Sequence, residues 1–168
     1  MNYQSAEPGD RRAAGYLVKL AREASAGWQR SLAMAGRRPE RYAADVQNAV
    51  EVAVDKYIRA WSERDPLVRA SLLEACFAAE GRMVQRSGET RGRAELAEMI
   101  ESFIADPQWR AVRMTSAVDA LGTTFRFRVS IDRHDGTSLD LFDAGEIDET
   151  GRIALILTFV DPLGEASG

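Results

Sequence analysis

Apolar and polar residues alternate strictly over residues 124–132, and this alternation restricts the folds open to the chain. One parity of the segment holds only apolar residues, namely Phe125, Phe127, Val129 and Ile131. Because successive side chains of a β-strand point to opposite faces, the pattern predicts a strand with one face covered and one in water. Any fold assigned to the chain must therefore place an apolar layer against one face of a sheet.

The other segments predict helices first and strands afterwards. Helical spacing of apolar residues predicts three helices, over 41–63, 66–78 and 93–105. A short strand over 82–86 and a turn-rich connection over 88–92 are predicted between the last two. Besides the strand over 124–132, three more long strands are predicted, over 110–121, 138–147 and 153–161. This order predicts an α+β fold, with three helices packed on a curved, mainly antiparallel sheet.

The composition narrows the classes of function. The 168 residues are 45% apolar and 29% charged and carry a net charge of −4, which is typical of a soluble one-domain protein. We expect no nucleic-acid partner, because there is no clustered basic excess, and no membrane span, because no apolar run reaches roughly 18 residues. With one cysteine, Cys76, and one histidine, His134, a Cys/His zinc site cannot form within one chain. We expect no metal, no organic cofactor and a cytoplasmic location.

The chain is predicted to consist of a helical extension and one domain. Residues 10–35 carry an apolar stripe at helical spacing, which Gly36 and Pro39 end. We assign residues 1–45 to an N-terminal helical extension, residues 46–162 to the domain and residues 163–168 to a disordered tail. A lone helix must bury its stripe, so the extension is expected to pack on the domain or on a second subunit.

One carboxylate interrupts the apolar parity of segment 138–147. The covered residues of that strand are predicted to be Leu139, Leu141, Asp143, Gly145 and Ile147. An ionised carboxylate buried without a partner costs several kcal/mol, and burial raises the pKa of a carboxyl group. Two interpretations stay open: Asp143 is a neutral proton donor in an apolar pocket, or a slipped register turns it towards solvent.

The order of the elements, together with several short sequences, resembles a known superfold. The sequences are YIRAWSERD at 57–65, RGR at 91–93, the strand around Asp143, and DETGRI at 148–153. On these features, residues 46–162 resemble the nuclear transport factor 2-like superfamily, and in particular its SnoaL-like polyketide cyclase and ketosteroid-isomerase branches. The resemblance implies a cone-like fold around a blind apolar pocket, and pairing of two chains through the open sheet face.

The resemblance also implies roles for individual residues. In the ketosteroid-isomerase branch, a tyrosine of the first helix and an aspartic acid of the penultimate strand donate hydrogen bonds to a developing oxyanion. Tyr57 and Asp143 are similar in position to those two residues. The aspartate that acts as general base in that branch is replaced by Gln85, which cannot take up a proton at neutral pH. Asp119 is the best remaining candidate for proton transfer, although its parity, opposite to that of Val118, favours a charge at a sheet edge or dimer face. The epoxide-hydrolase branch fits less well, because Thr158 stands where its final carboxylate is expected.

The pocket is predicted to be lined by Trp61, Gln85, Trp109, Phe125, Phe127, Val129, Leu141, Ile156 and Thr158. The arginines at 82, 86, 91 and 93 form a charge cluster with two open interpretations: it attracts an anionic ligand to the mouth of the cone, or it is a solvated surface. Two hypotheses for its function stay open. The first is a cofactor-free isomerase, cyclase or dehydratase that acts on an apolar carbonyl compound, with Tyr57 and Asp143 polarising the carbonyl oxygen. The second is a non-catalytic module of the same fold that binds a hydrophobic small molecule or serves in assembly. The missing base favours the second hypothesis, and the inward Asp143 favours the first. A homodimer is expected in both cases.

Overall fold

The computed structural model describes residues 39–160, with side chains from Ala44 onward. The chain divides into two compact units, Met1–Ala44 and Asp45–Gly168. All described elements belong to the second unit except the first turns of the first helix. The helix predicted over 10–35 and the tail predicted over 163–168 lie outside the described residues.

Three helices form where apolar residues recur at helical spacing: α1 (Pro39–Ala60), α2 (Pro66–Cys76) and α3 (Gly92–Ala105). α1 buries one stripe, made of Val50, Ala53, Val54, Tyr57 and Ala60. α2 begins after Asp65, whose Oδ1 accepts hydrogen bonds from the backbone amides of Leu67 at 2.8 Å and Val68 at 3.4 Å. No helix within residues 39–160 is long and apolar enough to cross a membrane.

Within residues 39–160, seven strands form one sheet: β1 (Phe77–Gln85), β2 (Gly88–Arg91), β3 (Trp109–Met114), β4 (Asp119–Leu121), β5 (Thr124–Arg133), β6 (Ser138–Ile147) and β7 (Ile153–Val160). The strand order is β2-β1-β7-β6-β5-β3, and β4 also pairs with β5. β1 and β7 run parallel, and every other pair is antiparallel. The predicted α+β fold, with three helices on a curved and mainly antiparallel sheet, is confirmed.

Two connections differ from the prediction. The segment 88–92, predicted as a connection, supplies β2, because Arg86 and Ser87 form a two-residue turn that folds it back onto β1. The strand predicted over 110–121 is broken into β3 and β4. At the break the hydroxyl of Ser116 accepts a hydrogen bond from the backbone amide of Arg128 at 2.8 Å, in place of a backbone carbonyl. The side chain thus ends the ladder where the sequence pattern alone predicts continuity.

β6 passes very close to its neighbours at Gly145. A Cβ atom at this position would meet the backbone carbonyl oxygen of Leu155 and would lie 2.6 Å from Cζ of Phe125. The missing side chain leaves room for the ring of Phe125, which stacks on Phe127 with 6.1 Å between ring centroids. Glycine is therefore required here by close approach of a ring and a backbone.

Candidate functional site

The inner face of the sheet and the ends of α1 and α3 enclose a cavity of about 320 Å³. Its lining consists of Ile58, Trp61, Met83, Gln85, Arg86, Ser87, Met99, Phe103, Trp109, Val112, Val129, Ile131, Leu139, Leu141, Thr158 and Val160. Three aromatic rings form one wall. Trp61 meets Phe103 edge-on, with centroids 5.4 Å apart, and Phe103 stacks on Trp109 at 5.6 Å. The volume and the apolar lining are those of a small-molecule site.

Strand register arranges the inner face in rows. Val129, Leu141 and Val160 form one row, and Phe127, Asp143 and Thr158 form the next. All three residues of the first row line the cavity, whereas in the second row Thr158 alone does so. The cavity therefore ends within the second row, and Asp143 lies directly beyond that end.

The exposed residues of the lining mark the opening of the cavity. Arg86, Ser87 and Val160 are exposed, whereas Met83 and Val129 are buried. Arg86 and Ser87 are the turn between β1 and β2, so the opening lies at the tip of this hairpin. The floor lies under Met83, towards α1.

Asp143 is buried, with 4% of its side chain exposed. The predicted inward orientation is confirmed, and a slipped register is excluded by its pairing with Phe127 and Thr158. Neither its Oδ1 nor the Oγ1 of Thr158 has a hydrogen-bond partner among the described residues. Burial raises the pKa of Asp143 from 3.8 to about 6, although the nearby hydroxyl of Thr158 opposes the rise. A carboxyl group in this position is easily protonated near neutral pH.

Tyr57 lies on α1 and is buried in the neighbourhood of Asp143. Its hydroxyl donates a hydrogen bond to Sδ of Met83 at 3.5 Å, not to a carboxylate. Burial, and to a smaller extent the charge of Asp143, raises the pKa of Tyr57 well above its usual value. The structure thus brings the two predicted donors near each other, but neither lines the cavity. Met83 and Thr158 separate them from it.

Six of the predicted lining residues line the cavity: Trp61, Gln85, Trp109, Val129, Leu141 and Thr158. Three do not. Phe125, Phe127 and Ile156 lie on the predicted inner face, but they belong to the packed core that also holds Val54 and Tyr57. Strand parity identifies the face of a residue, but it does not tell how far along the strand the helix α1 fills the concavity.

Asp119 does not lie at the cavity. It stands on β4 opposite Arg126, and its Oδ2 pairs with Nε of that arginine at 2.7 Å. Both side chains are more than half exposed. The prediction that Asp119 transfers a proton in the pocket is therefore wrong, because its strand parity directs it into an exposed ion pair.

Sequence reasoning missed several lining residues. Ile131 and Leu139 share their parity with Val129 and Leu141, so that signal was available. Arg86 was indicated only as one of a cluster of arginines, and Ser87 gave no signal, because the turn that holds them leads into the unpredicted strand β2.

Among the described residues that line the cavity there is no Asp, Glu, His, Lys, Cys or Tyr side chain. No group of three or more metal-ligating side chains lies together in the described part of the chain. The polar side-chain groups of the described lining are the amide of Gln85, the guanidinium of Arg86, the hydroxyls of Ser87 and Thr158, and the indole N–H groups of Trp61 and Trp109. This set can hold and orient a ligand, but no member of it accepts a proton at neutral pH.

Comparison with known families matches residues 54–156 to the SnoaL-like domain. The chain belongs to the SnoaL-like family. The resemblance predicted from the sequence is confirmed, and so is its place in the nuclear transport factor 2-like superfamily. The search of curated proteins finds no match to this SnoaL-like protein.

Solved structures share its fold. A protein from Agrobacterium tumefaciens str. C58, provisionally named an isomerase of the SnoaL-like family, is 24% identical, with a TM-score of 0.61 over 68% of this chain and 99% of that one. A protein of unknown function with a cystatin-like fold from Methylobium petroleophilum PM1 is 19% identical, with a TM-score of 0.59 over 72% and 82%. A provisionally named polyketide cyclase from Sinorhizobium meliloti is 16% identical, with a TM-score of 0.53 over 64% and 93%. These TM-scores establish a common fold of the SnoaL-like protein and its neighbours.

Proposed function

We propose that this SnoaL-like protein binds an apolar small molecule in the cavity without transforming it. The observation that carries the proposal is the lining itself. Within residues 39–160 the lining is mostly apolar and includes no side chain that accepts a proton at neutral pH. Proton-transfer chemistry on a carbonyl compound needs such a group within hydrogen-bond reach of the substrate. Binding needs only the apolar walls and a few polar groups, which the cavity has.

Filling the cavity is expected to abolish binding. Leu141 lines the cavity, so an indole ring in the variant Leu141→Trp would occupy the space of the ligand. We expect the affinity for decan-1-ol, measured by isothermal titration calorimetry, to fall at least about tenfold, or about 1.4 kcal/mol. Leu121→Trp is the matched control, because Leu121 is 84% exposed and does not line the cavity. Equal affinity in all three proteins, or no binding by the unchanged protein, would contradict the proposal.

One observation favours the catalytic alternative, an isomerase, cyclase or dehydratase. Asp143 has an unpartnered oxygen and a raised pKa, and it stands next to Thr158 at the end of the cavity. Such a carboxyl could exchange a proton with a carbonyl compound if Thr158 or Met83 moved aside. Protein-dependent deuterium exchange at the α-carbons of decan-2-one, followed by NMR and absent in Asp143→Asn, would establish this alternative over simple binding.

The outer face of the sheet supports a proposal of homodimer formation. Phe142 and Phe159 lie together there, with ring centroids 6.3 Å apart, and Phe159 is 44% exposed. Leu157 continues this apolar area, and charges of both signs, including Arg126 and Asp140, lie on the same face. A face with an apolar centre and both signs of charge can pair with a copy of itself about a twofold axis.

Charging this face is expected to separate the subunits. In the variant Phe159→Glu, two buried carboxylates would face each other across the interface, which costs several kcal/mol. We expect light scattering to give twice the 18.5 kDa chain mass for the unchanged protein and a single chain mass for the variant. Leu67→Glu, at a residue that is 79% exposed on α2, serves as control and should remain dimeric. A monomeric unchanged protein would refute the proposal.

A further inference from the structure

We infer that the ligand is an amphipathic carboxylate, whose apolar body fills the cavity and whose acid group binds to Gln85, Arg86 and Ser87 at the opening. This inference rests on the proposed binding function and names the class of ligand. The three residues are consecutive in the chain, at the end of β1 and in the turn to β2. All three line the cavity.

The opening carries a positive charge that no described residue neutralises. Arg86 forms no ion pair within residues 44–160, whereas the neighbouring Arg82 and Arg91 both bind Glu89, at 3.5 and 2.9 Å. Glu89 pairs with Val84 across the hairpin, so it lies on the face opposite to the one that Met83 and Gln85 present to the cavity. Of the lining residues that the structure describes, Arg86 is also the one that carries a charge. No carboxylate in the described part of the protein pairs with the guanidinium of Arg86.

The neighbours of Arg86 also supply donors. The amide of Gln85 donates only to Sδ of Met99, at 3.5 Å, and thioether sulfur is a weak acceptor. The hydroxyl of Ser87 makes no hydrogen bond within the described residues. Guanidinium, amide and hydroxyl donors around one opening match an anion with several acceptor sites, and a carboxylate binds to a guanidinium with paired hydrogen bonds.

The part of the cavity behind the opening limits the size and polarity of the apolar body of the ligand. At the packing density of protein interiors, about 0.75, a cavity of about 320 Å³ accommodates roughly 12 to 16 non-hydrogen atoms. The aromatic wall of Trp61, Phe103 and Trp109 and the row of Val129, Leu141 and Val160 offer no charge to it. Beyond the indole N–H groups of the aromatic wall, the hydroxyl of Thr158 at the far end is the one polar side-chain group that the described lining offers to this part of the ligand. A medium-length or compact apolar acid meets all of these limits.

Three ligands with the same chain and different head groups test the inference: decanoate, decan-1-ol and decylamine. At pH 7.5 and low salt, calorimetry is expected to show that Arg86→Gln weakens decanoate binding about three- to tenfold, while the affinity for decan-1-ol changes less than about twofold. Arg86→Lys should retain most of the decanoate affinity, because it keeps the charge. Raising the salt concentration to about 0.5 M should weaken decanoate binding in the unchanged protein and leave decan-1-ol binding unaltered.

Arg82→Gln is the matched control, because Arg82 lies on the same strand but pairs with Glu89 and does not line the cavity. It should leave the affinity for decanoate unchanged. Decylamine, a cation at this pH, should bind more weakly than decan-1-ol. The inference is overturned if Arg86→Gln and Arg82→Gln bind decanoate equally well, or if decylamine binds as tightly as decanoate. If none of the three ligands binds, the proposed function itself fails.

Discussion

Replacing Asp143 with asparagine is expected to stabilise the protein at neutral pH and to remove a loss of stability between about pH 4 and 6. Burial raises the pKa of this carboxyl from 3.8 to about 6. Between these values the folded protein keeps the proton and the unfolded chain releases it. The free energy of unfolding therefore falls as the pH rises through this window, and the stability that Asp143 contributes is complete only below it.

The size of the effect follows from the rise in pKa. A rise from 3.8 to about 6, at about 1.4 kcal/mol per pKa unit, corresponds to about 3 kcal/mol of stability lost above pH 6. An amide at this position carries no charge, but it leaves its own polar atoms poorly paired. We therefore expect Asp143→Asn to be about 1 to 3 kcal/mol more stable than the unchanged protein at pH 8. Urea unfolding from pH 3.5 to 8 measures this difference.

The control for this experiment is Asp140→Asn, at an exposed residue on the outer face of the same strand. It should follow the pH dependence of the unchanged protein. Carboxyls with a lowered pKa, such as Asp132 beside Arg113, make the free energy of unfolding rise with pH below pH 4. They do so equally in the unchanged protein and in the two variants. Parallel curves for Asp143→Asn and the unchanged protein between pH 4 and 6 would show that Asp143 ionises as easily as an exposed carboxyl.

Substituting Gly145 is expected to destabilise the fold strongly. Even the single methyl group of Gly145→Ala would meet the carbonyl oxygen of Leu155 and the ring of Phe125. The backbone of β7 cannot retreat without breaking its pairing with β6, and the ring lies within the packed core. Overpacking of this kind costs typically 1 to 3 kcal/mol, and the contact with backbone puts this site at about 3 kcal/mol. Thermal and urea unfolding at one pH measure the loss.

Ala144→Val is the comparison for that variant, because it adds methyl groups to the adjacent residue, which faces the other side of β6. β-Branched residues are favoured in strands, so its stability should change by less than about 1 kcal/mol. If the two variants were equally stable, the close packing at Gly145 would be relieved at no cost, and the glycine would not be needed for the approach of Phe125.

Periodicity and parity predicted the fold and the interior face of the sheet because these depend on local alternation. The bounds of β6 and the inward Asp143 follow directly from that pattern. The same reasoning placed Phe125 and Ile156 in the pocket, because parity does not show where α1 fills the concavity. Whether an inward residue of a strand lies in the core or at the cavity depends on how elements that are distant in sequence pack together.

The charged part of the candidate site could be predicted only in part. The arginine cluster 82, 86, 91 and 93 indicated a positive opening, but the sequence did not show that Arg86 lines the cavity while Arg82 and Arg91 pair with Glu89, because that follows from the pairing of β1 with β2. Asp119 looked suitable by residue type, but its partner Arg126 comes from the register of β4 and β5. Residue types indicate which chemistry is available, whereas the strand register decides which groups meet.

The parallel pairing of β1 and β7 has a consequence for the order of folding. β7 lies between β1 and β6, so it joins the hairpin of β1 and β2 to the rest of the sheet. A growing chain that has not yet reached Ile153 therefore holds two separate groups of strands, and the opening and the far wall of the cavity belong to different groups. Closure requires a contact between the first and last strands, which is slow to form. A ligand thus has a complete site only after synthesis has passed β7, and until then the apolar inner face stays open to water and to aggregation.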